Sequence, residues 1–162
     1  MADAMRSLLS AYLSDVQSQM QPFTDRAFPW LASAYIIQTP ELLPPDWSAE
    51  LPTLLICPQI TAASPLCLGD AGDQKIYTVT ISLCAEGFAD ETAGLFGAGT
   101  YPGLLTMLDA IETRYRRNTL SLTQQATLMR IDYTLRRIPP FLHRGINQAH
   151  LTIQHLCLDM RP

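Results

Sequence analysis

Between Lys75 and Cys84 apolar and polar side chains alternate, with Tyr77, Val79, Ile81 and Leu83 on one side and Thr78, Thr80 and Ser82 on the other. A period of two with β-branched enrichment is what a half-buried strand requires, so one face packs and the other is wet or paired. The chain then crosses a Gly-rich stretch and changes period. From Pro102 to Arg117, Leu104, Leu108, Ile111 and Tyr115 stack within a narrow arc at roughly 100° per residue, which predicts an amphipathic helix. Thr100 is placed to cap it and Pro102 suits the first turn, where a missing N–H costs nothing. Arg114, Arg116 and Arg117 meet the negative end of the helix dipole, Glu112 stands four residues before Arg116 in the favourable orientation, and Asn118 is a reasonable stop.

The remaining segments follow the same two periods. Met5, Leu8, Leu9, Tyr12, Val16 and Met20 recur at helical spacing over residues 2–20, with Ser7, Ser10, Ser14, Gln17 and Ser18 outward. A proline-rich connection follows at 21–52, in which Pro22, Pro29, Pro40, Pro44, Pro45 and Pro52 exclude a long helix. Ser33 to Gln38 reads as a short strand there, and Trp30 and Trp47 pin the connection to the core or to a neighbouring subunit. Leu54 to Cys57 reads as a short buried strand, and Thr61 to Asp73 as a turn-rich hairpin loop. Alternation returns at Ala126–Ile138 (Met129, Ile131, Tyr133, Leu135) and Ala149–Leu158 (Leu151, Ile153, His155, Cys157), with residues 139–148 as the turn between them. The expected fold is α+β in one domain, residues 1–162: a mostly antiparallel sheet of about four to five strands packed with two main helices.

At 162 residues the chain fits one domain with a core of its own. Only 16% of it is charged, against roughly 25% in an ordinary globular chain. Either a partner covers part of the surface, or the chain is a slightly apolar monomer with long loops. Net charge is −4 but unevenly placed: residues 1–100 carry −8 and residues 101–162 carry +4, a dipolar layout suited to head-to-tail pairing of copies. Ten of the eleven basic residues are arginine, the residue of bidentate interface pairing. The acidic total and the lack of a lysine-rich arm or aromatic-basic motif argue against nucleic-acid recognition. No apolar run reaches the length of a membrane span and no signal-peptide pattern opens the chain, so a cytoplasmic protein is expected.

Catalytic and metal chemistry find little support. Cys57, Cys67, Cys84 and Cys157 form no C-x-x-C pair and read as free thiols, three of them in apolar strands. His143, His150 and His155 stand in no motif, and His150 and His155, five apart in a strand, point to opposite faces. Gly94-Leu-Phe-Gly-Ala-Gly99 lacks the Lys-Ser/Thr of a P-loop and the full dinucleotide fingerprint. Asp70 with Asp73, and Glu86 with Asp90 and Glu91, lack calcium-loop spacing and read as solvated acidic loops or loops that meet an arginine surface. No enzyme activity, cofactor or metal is expected.

The layout resembles the tail terminator, or tail-completion, proteins of long-tailed bacteriophages. The likeness is carried by the helix at 2–20, "LPTLLICPQ" at 51–59, "KIYTVTISLCAEG" at 75–87, "GLLTMLDAIETRYRR" at 103–117 and the strands at 126–138 and 149–158. It spans most of the chain and is architectural. The resemblance implies a structural virion protein, not an enzyme, that forms a homohexameric ring. Such a ring caps the tail tube, meets the neck or head connector, and lets phage DNA pass without sequence-specific binding or any membrane. Another neck or head–tail adaptor is the alternative reading, followed by a small cytoplasmic ligand-binding protein or enzyme. Loops 60–74 and 85–101 are expected to make protein contacts through Asp70, Asp73, Glu86, Asp90 and Glu91, with Arg130, Arg136, Arg137 and Arg144 as their candidate partners.

Overall fold

A computed structural model describes residues 2–22, 24–38, 50–59, 64–65, 72–86, 91–116, 126–141 and 144–160. The elements in chain order are α1 (Ala2–Gln19), β1 (Ser33–Ile36), β2 (Thr53–Gln59), β3 (Ser64–Pro65), β4 (Gly72–Glu86), α2 (Glu91–Phe96), α3 (Leu104–Arg116), β5 (Ala126–Phe141) and β6 (Arg144–Met160). The fold is α+β. Its strands form one mixed sheet in the order β1-β2-β4-β6-β5, and β3 pairs with β4 beside that path. β1 runs parallel to β2 and every other pair is antiparallel.

The alternation in the sequence decides which face the helices take. Tyr77, Val79, Ile81, Leu83 and Ala85 of β4, Leu54 and Ile56 of β2, and Ala149, Leu151 and Ile153 of β6 belong to one core. Leu8, Leu9, Tyr12 and Val16 of α1 and Leu104, Met107, Leu108, Ile111 and Tyr115 of α3 close over it. Each Leu, Ile, Val or Met among them, fully buried, contributes roughly 1.5–3 kcal/mol. Ser7, Ser10, Ser14, Gln17 and Ser18 are exposed on the far side of α1, as their spacing requires. α1 lies over β1 and β2, and α3 over β6 and β5.

Two further contacts fix the helices. Arg114 of α3 forks onto Asp15 of α1, Nη2 donating to Oδ1 at 2.6 Å and Nε to Oδ2 at 3.1 Å. Beside this pair the rings of Tyr12 and Tyr115 meet edge to face at 5.0 Å, and Phe28 packs against both Trp30 and Tyr115. The end of α1 is held by the turn that follows, where Phe28 N–H donates to Gln19 O at 2.9 Å and Ala27 N–H to Gln19 Oε1 at 3.1 Å. Trp30 thus pins the connection to the core, while Trp47 lies outside the described residues.

Several sequence-based boundaries move. β4 begins at Gly72, so Gly72 and Asp73 lie in the strand rather than in a hairpin loop; Asp73 pairs with Pro65 on one side and Asp159 on the other. The stretch expected to be a structureless loop at 85–101 contains α2. α3 starts at Leu104, two residues after Pro102, with Met107 N–H bonded to Gly103 O, so Thr100 is not its cap. Asn118 lies outside the described residues. Pro139 and Pro140 do not make a turn: β5 continues to Phe141 and β6 begins at Arg144, so only residues 142–143 separate them. Proline is tolerated there because β5 ends the sheet path, where a missing N–H breaks no second ladder. A register shift between Leu128 and Arg130 also interrupts the alternation, so that Leu128 pairs with His155, Ile131 with Ile153, and Met129 falls in the irregularity.

Candidate functional site

The sheet face turned away from the helices carries the polar half of the alternation, and it is buried as well. Thr53, Thr78, Thr80, Ser82 and Gln148 are all at most 2% exposed, alongside Leu55, Cys57 and Cys84. A polar group out of water must be paired or it destabilises the fold; Ser82 at the centre of this face is paired, whereas Thr80 Oγ1 has no hydrogen-bond partner among the described residues. Gln148 Nε2 donates to Ser82 Oγ at 2.7 Å, and Ser82 Oγ lies 2.9 Å from His150 Nδ1. Which of the two groups donates in the Ser82–His150 bond follows from the tautomer of the imidazole. Ser82 and His150 are direct cross-strand partners of β4 and β6, so this chain of bonds fixes the register of the two strands.

The network is not a nucleophile with its base, since Ser82 is fully buried. Cys84 next to it is pushed up to about 12 by burial, with hydrogen bonds to Ser82 and Gln148 pulling the other way. Burial also raises Cys57, whose thiol donates to Gln38 O at 3.0 Å. Both cysteines stay protonated near neutrality and act as small core residues. Among the described residues no group of three or more His, Cys, Asp or Glu could hold a metal ion. No helix of the described residues is long and apolar enough to cross a membrane.

Of the expected contact residues, Asp73 and Glu86 stand towards opposite ends of β4, whereas Arg130 lies midway along the sheet, level with Thr78 through Gln154. Asp70 and Asp90 lie outside the described residues. Asp73 stands near the start of β4, whereas Glu86 is its exposed last residue and Glu91 opens α2. Arg130, Arg136 and Arg137 are all in β5, opposite Gln154, Gln148 and Asn147, and Arg144 is the first residue of β6, opposite Phe141. The register brings Glu86 to the same end as Arg136 and Arg137, since Glu86 pairs with Ile146 and Ile146 with Ile138. Arg136 follows the register of Gln148 and Cys84, while Arg137 follows Asn147 and Ala85; as neighbours in a strand they belong to opposite faces of the sheet.

The Gly-rich stretch of the expected loop 85–101 forms the corner between α2 and α3. Ala98 and Tyr101 exchange backbone hydrogen bonds at 3.1 and 3.0 Å, and Gly97 and Gly103 sit at φ of 97° and 85°. A Cβ on Gly97 would stand 2.6 Å from Tyr101 O, and one on Gly103 would run into the backbone of Leu95, Phe96 and Gly97. These glycines therefore serve close packing. Tyr101 packs against the core, and its phenol is pushed up to about 12 by burial and then by Glu86. The corner presents Phe96, which is 68% exposed, a feature no periodicity announces in a helix of six residues.

No protein-family model matches the chain, and no curated protein matches it.

Proposed function

We propose that this chain is a structural virion protein of a long-tailed phage, one that assembles as a ring, caps the tail tube and joins the tail to the neck or head connector. The observation that carries the reading is the order and layering of the elements. An opening helix and a second helix share one face of a mainly antiparallel sheet, and the second helix is followed by two long strands. This is the arrangement that the resemblance to tail terminator proteins implies. The opposite net charges of the two parts of the chain favour contacts between copies. In this role the buried polar face and the two protonated cysteines are scaffold, and partner contacts fall to the charged ends of the sheet.

The test is imaging of the purified protein alone and mixed with uncapped tail tubes. Rings seated on tube ends support the proposal. Protein that stays monomeric in light scattering at micromolar concentrations and never decorates tubes sinks it, and density on the connector alone favours a neck adaptor. Reversing Arg136 and Arg137 to Glu should weaken assembly while the chain stays folded by circular dichroism. Because the two residues belong to opposite sheet faces, the single variants tell which face makes the contact; rings of normal yield from both singles and the double remove the arginines from the interface.

A further inference from the structure

β5 closes one side of the sheet, and among the described residues no strand pairs with its outer edge. An open edge offers a row of backbone donors and acceptors to another chain, and proteins blunt such edges with bulges, prolines and charges. In β5 the bulges and prolines stand at the two ends, while Arg130, Asp132, Arg136 and Arg137 carry charge between them. The register with β6 shifts between Leu128 and Arg130 and again between Ile138 and Phe141, next to Pro139 and Pro140. Between them Arg130 to Ile138 keeps regular pairing, and the middle residue of that stretch is Thr134.

The stretch is self-complementary about its centre. Laid antiparallel on the same stretch of a second copy, with Thr134 opposite Thr134, it sets Asp132 opposite Arg136 twice. Tyr133 then meets Leu135, and Arg130 and Arg137 each meet an isoleucine, Ile138 and Ile131. Opposite charges and aromatic–aliphatic pairs directly across a strand pair stabilise it, and no like charges face each other. Tyr133 and Leu135 pair in register with Leu151 and Ala149, which are buried in the core. Shifting the centre by one residue destroys the match: about Tyr133, Arg130 opposes Arg136, and about Leu135, Asp132 opposes Ile138.

We propose that two copies of this chain join through β5 in a two-fold, antiparallel edge contact centred on Thr134. Such a contact closes on itself, so it does not rest on the ring reading; it describes the free protein.

The experiment is sedimentation of the full chain from about 1 to about 100 µM, for wild type, Asp132→Arg, Arg136→Asp and the double exchange. The expected result is a dimer that each single reversal weakens at least about ten-fold and the double exchange restores. Thr134→Cys should form a disulfide-linked dimer under mild oxidation well beyond that of wild type, a readout independent of the charge variants. A wild type that is monomeric throughout overturns the inference, as does a dimer indifferent to both reversals or a Thr134→Cys variant that cross-links no more than wild type. Capping of tail tubes is scored separately: capping by a protein that never dimerises removes the edge contact alone, and dimers that never cap tubes remove the ring alone.

Discussion

Replacing Arg114 by Met keeps the aliphatic stem and deletes the fork that joins the two helices. Arg114 retains 29% of its side-chain exposure and Asp15 only 15%, so the variant leaves a carboxylate half-enclosed beside the Tyr12 and Tyr115 rings. A fully buried pair broken on one side costs about 3–5 kcal/mol, and hydrogen bonds to a charged group are worth about 1.5–3 kcal/mol. Solvent screening on the open side of Arg114 puts this site at the lower end, near 2 kcal/mol by the same scale. In urea, with a slope of about 2 kcal/mol per molar, the midpoint should fall by about 1 M. Unfolding followed by far-ultraviolet circular dichroism at one fixed protein concentration gives the number. Asp15→Asn combined with Arg114→Met should recover part of the loss, because the stranded charge is gone, leaving a coupling energy of about 1 kcal/mol between the two sites. If Arg114→Met changes stability by less than about 0.5 kcal/mol and the two substitutions simply add, the fork is a surface pair of negligible worth and the helix docking rests on the apolar core contacts.

Two further outcomes follow from the corner and from the thiols. Gly103→Ala should destabilise by well over the roughly 1–2 kcal/mol that a left-handed backbone costs a residue with a Cβ, since the added atom also meets backbone. Gly99→Ala, at φ of 60° with open space around it, should cost only the conformational part; equal melting temperatures for the two variants would refute the packing argument. Cys84 is raised to about 12 from an ordinary 9.0. Its neutral form is therefore favoured by folding, and stability should hold below pH 9 and decline as pH rises from about 9 to about 12, where the unfolded chain releases a proton the folded chain keeps. Thermal melts across that interval, together with slow labelling of Cys84 by a thiol reagent in the native protein at pH 8, check this; labelling at the rate of a free thiol contradicts it.

The strands and both main helices were legible because their side chains repeat at two and at 3.6 residues, and burial of one side of each is enforced by the core. Other features left no periodic trace. A strand tells which residues share a face but not whether a second layer covers it, so the burial of Thr78, Thr80 and Ser82 could not be read from their alternation. Pro139 and Pro140 look like a turn in isolation and are admissible in β5 because of its place at the sheet margin, a property of topology. The Asp15–Arg114 fork links residues 99 apart in sequence, and nothing in the spacing of either helix marks it. α2 is too short for a helical stripe to stand out. Asp73 and Glu86 stand among clustered Asp, Glu and Gly residues that read as loops, yet both lie in β4, which is longer than the alternation indicates.

The sheet order also bears on how the chain reaches its native state. β6 is the last strand in sequence and sits between β4 and β5. On the ribosome, β4 emerges about seventy residues ahead of the strand that will cover its second side, at a synthesis rate of about 5–20 residues per second. For those seconds β4 has one open flank, and none of the pairing between β4, β5 and β6 can form until residues 144–160 arrive. Folding dominated by such distant pairings is slow, and the interval is the one in which a molecular chaperone holding β4 would matter most to the yield of folded protein.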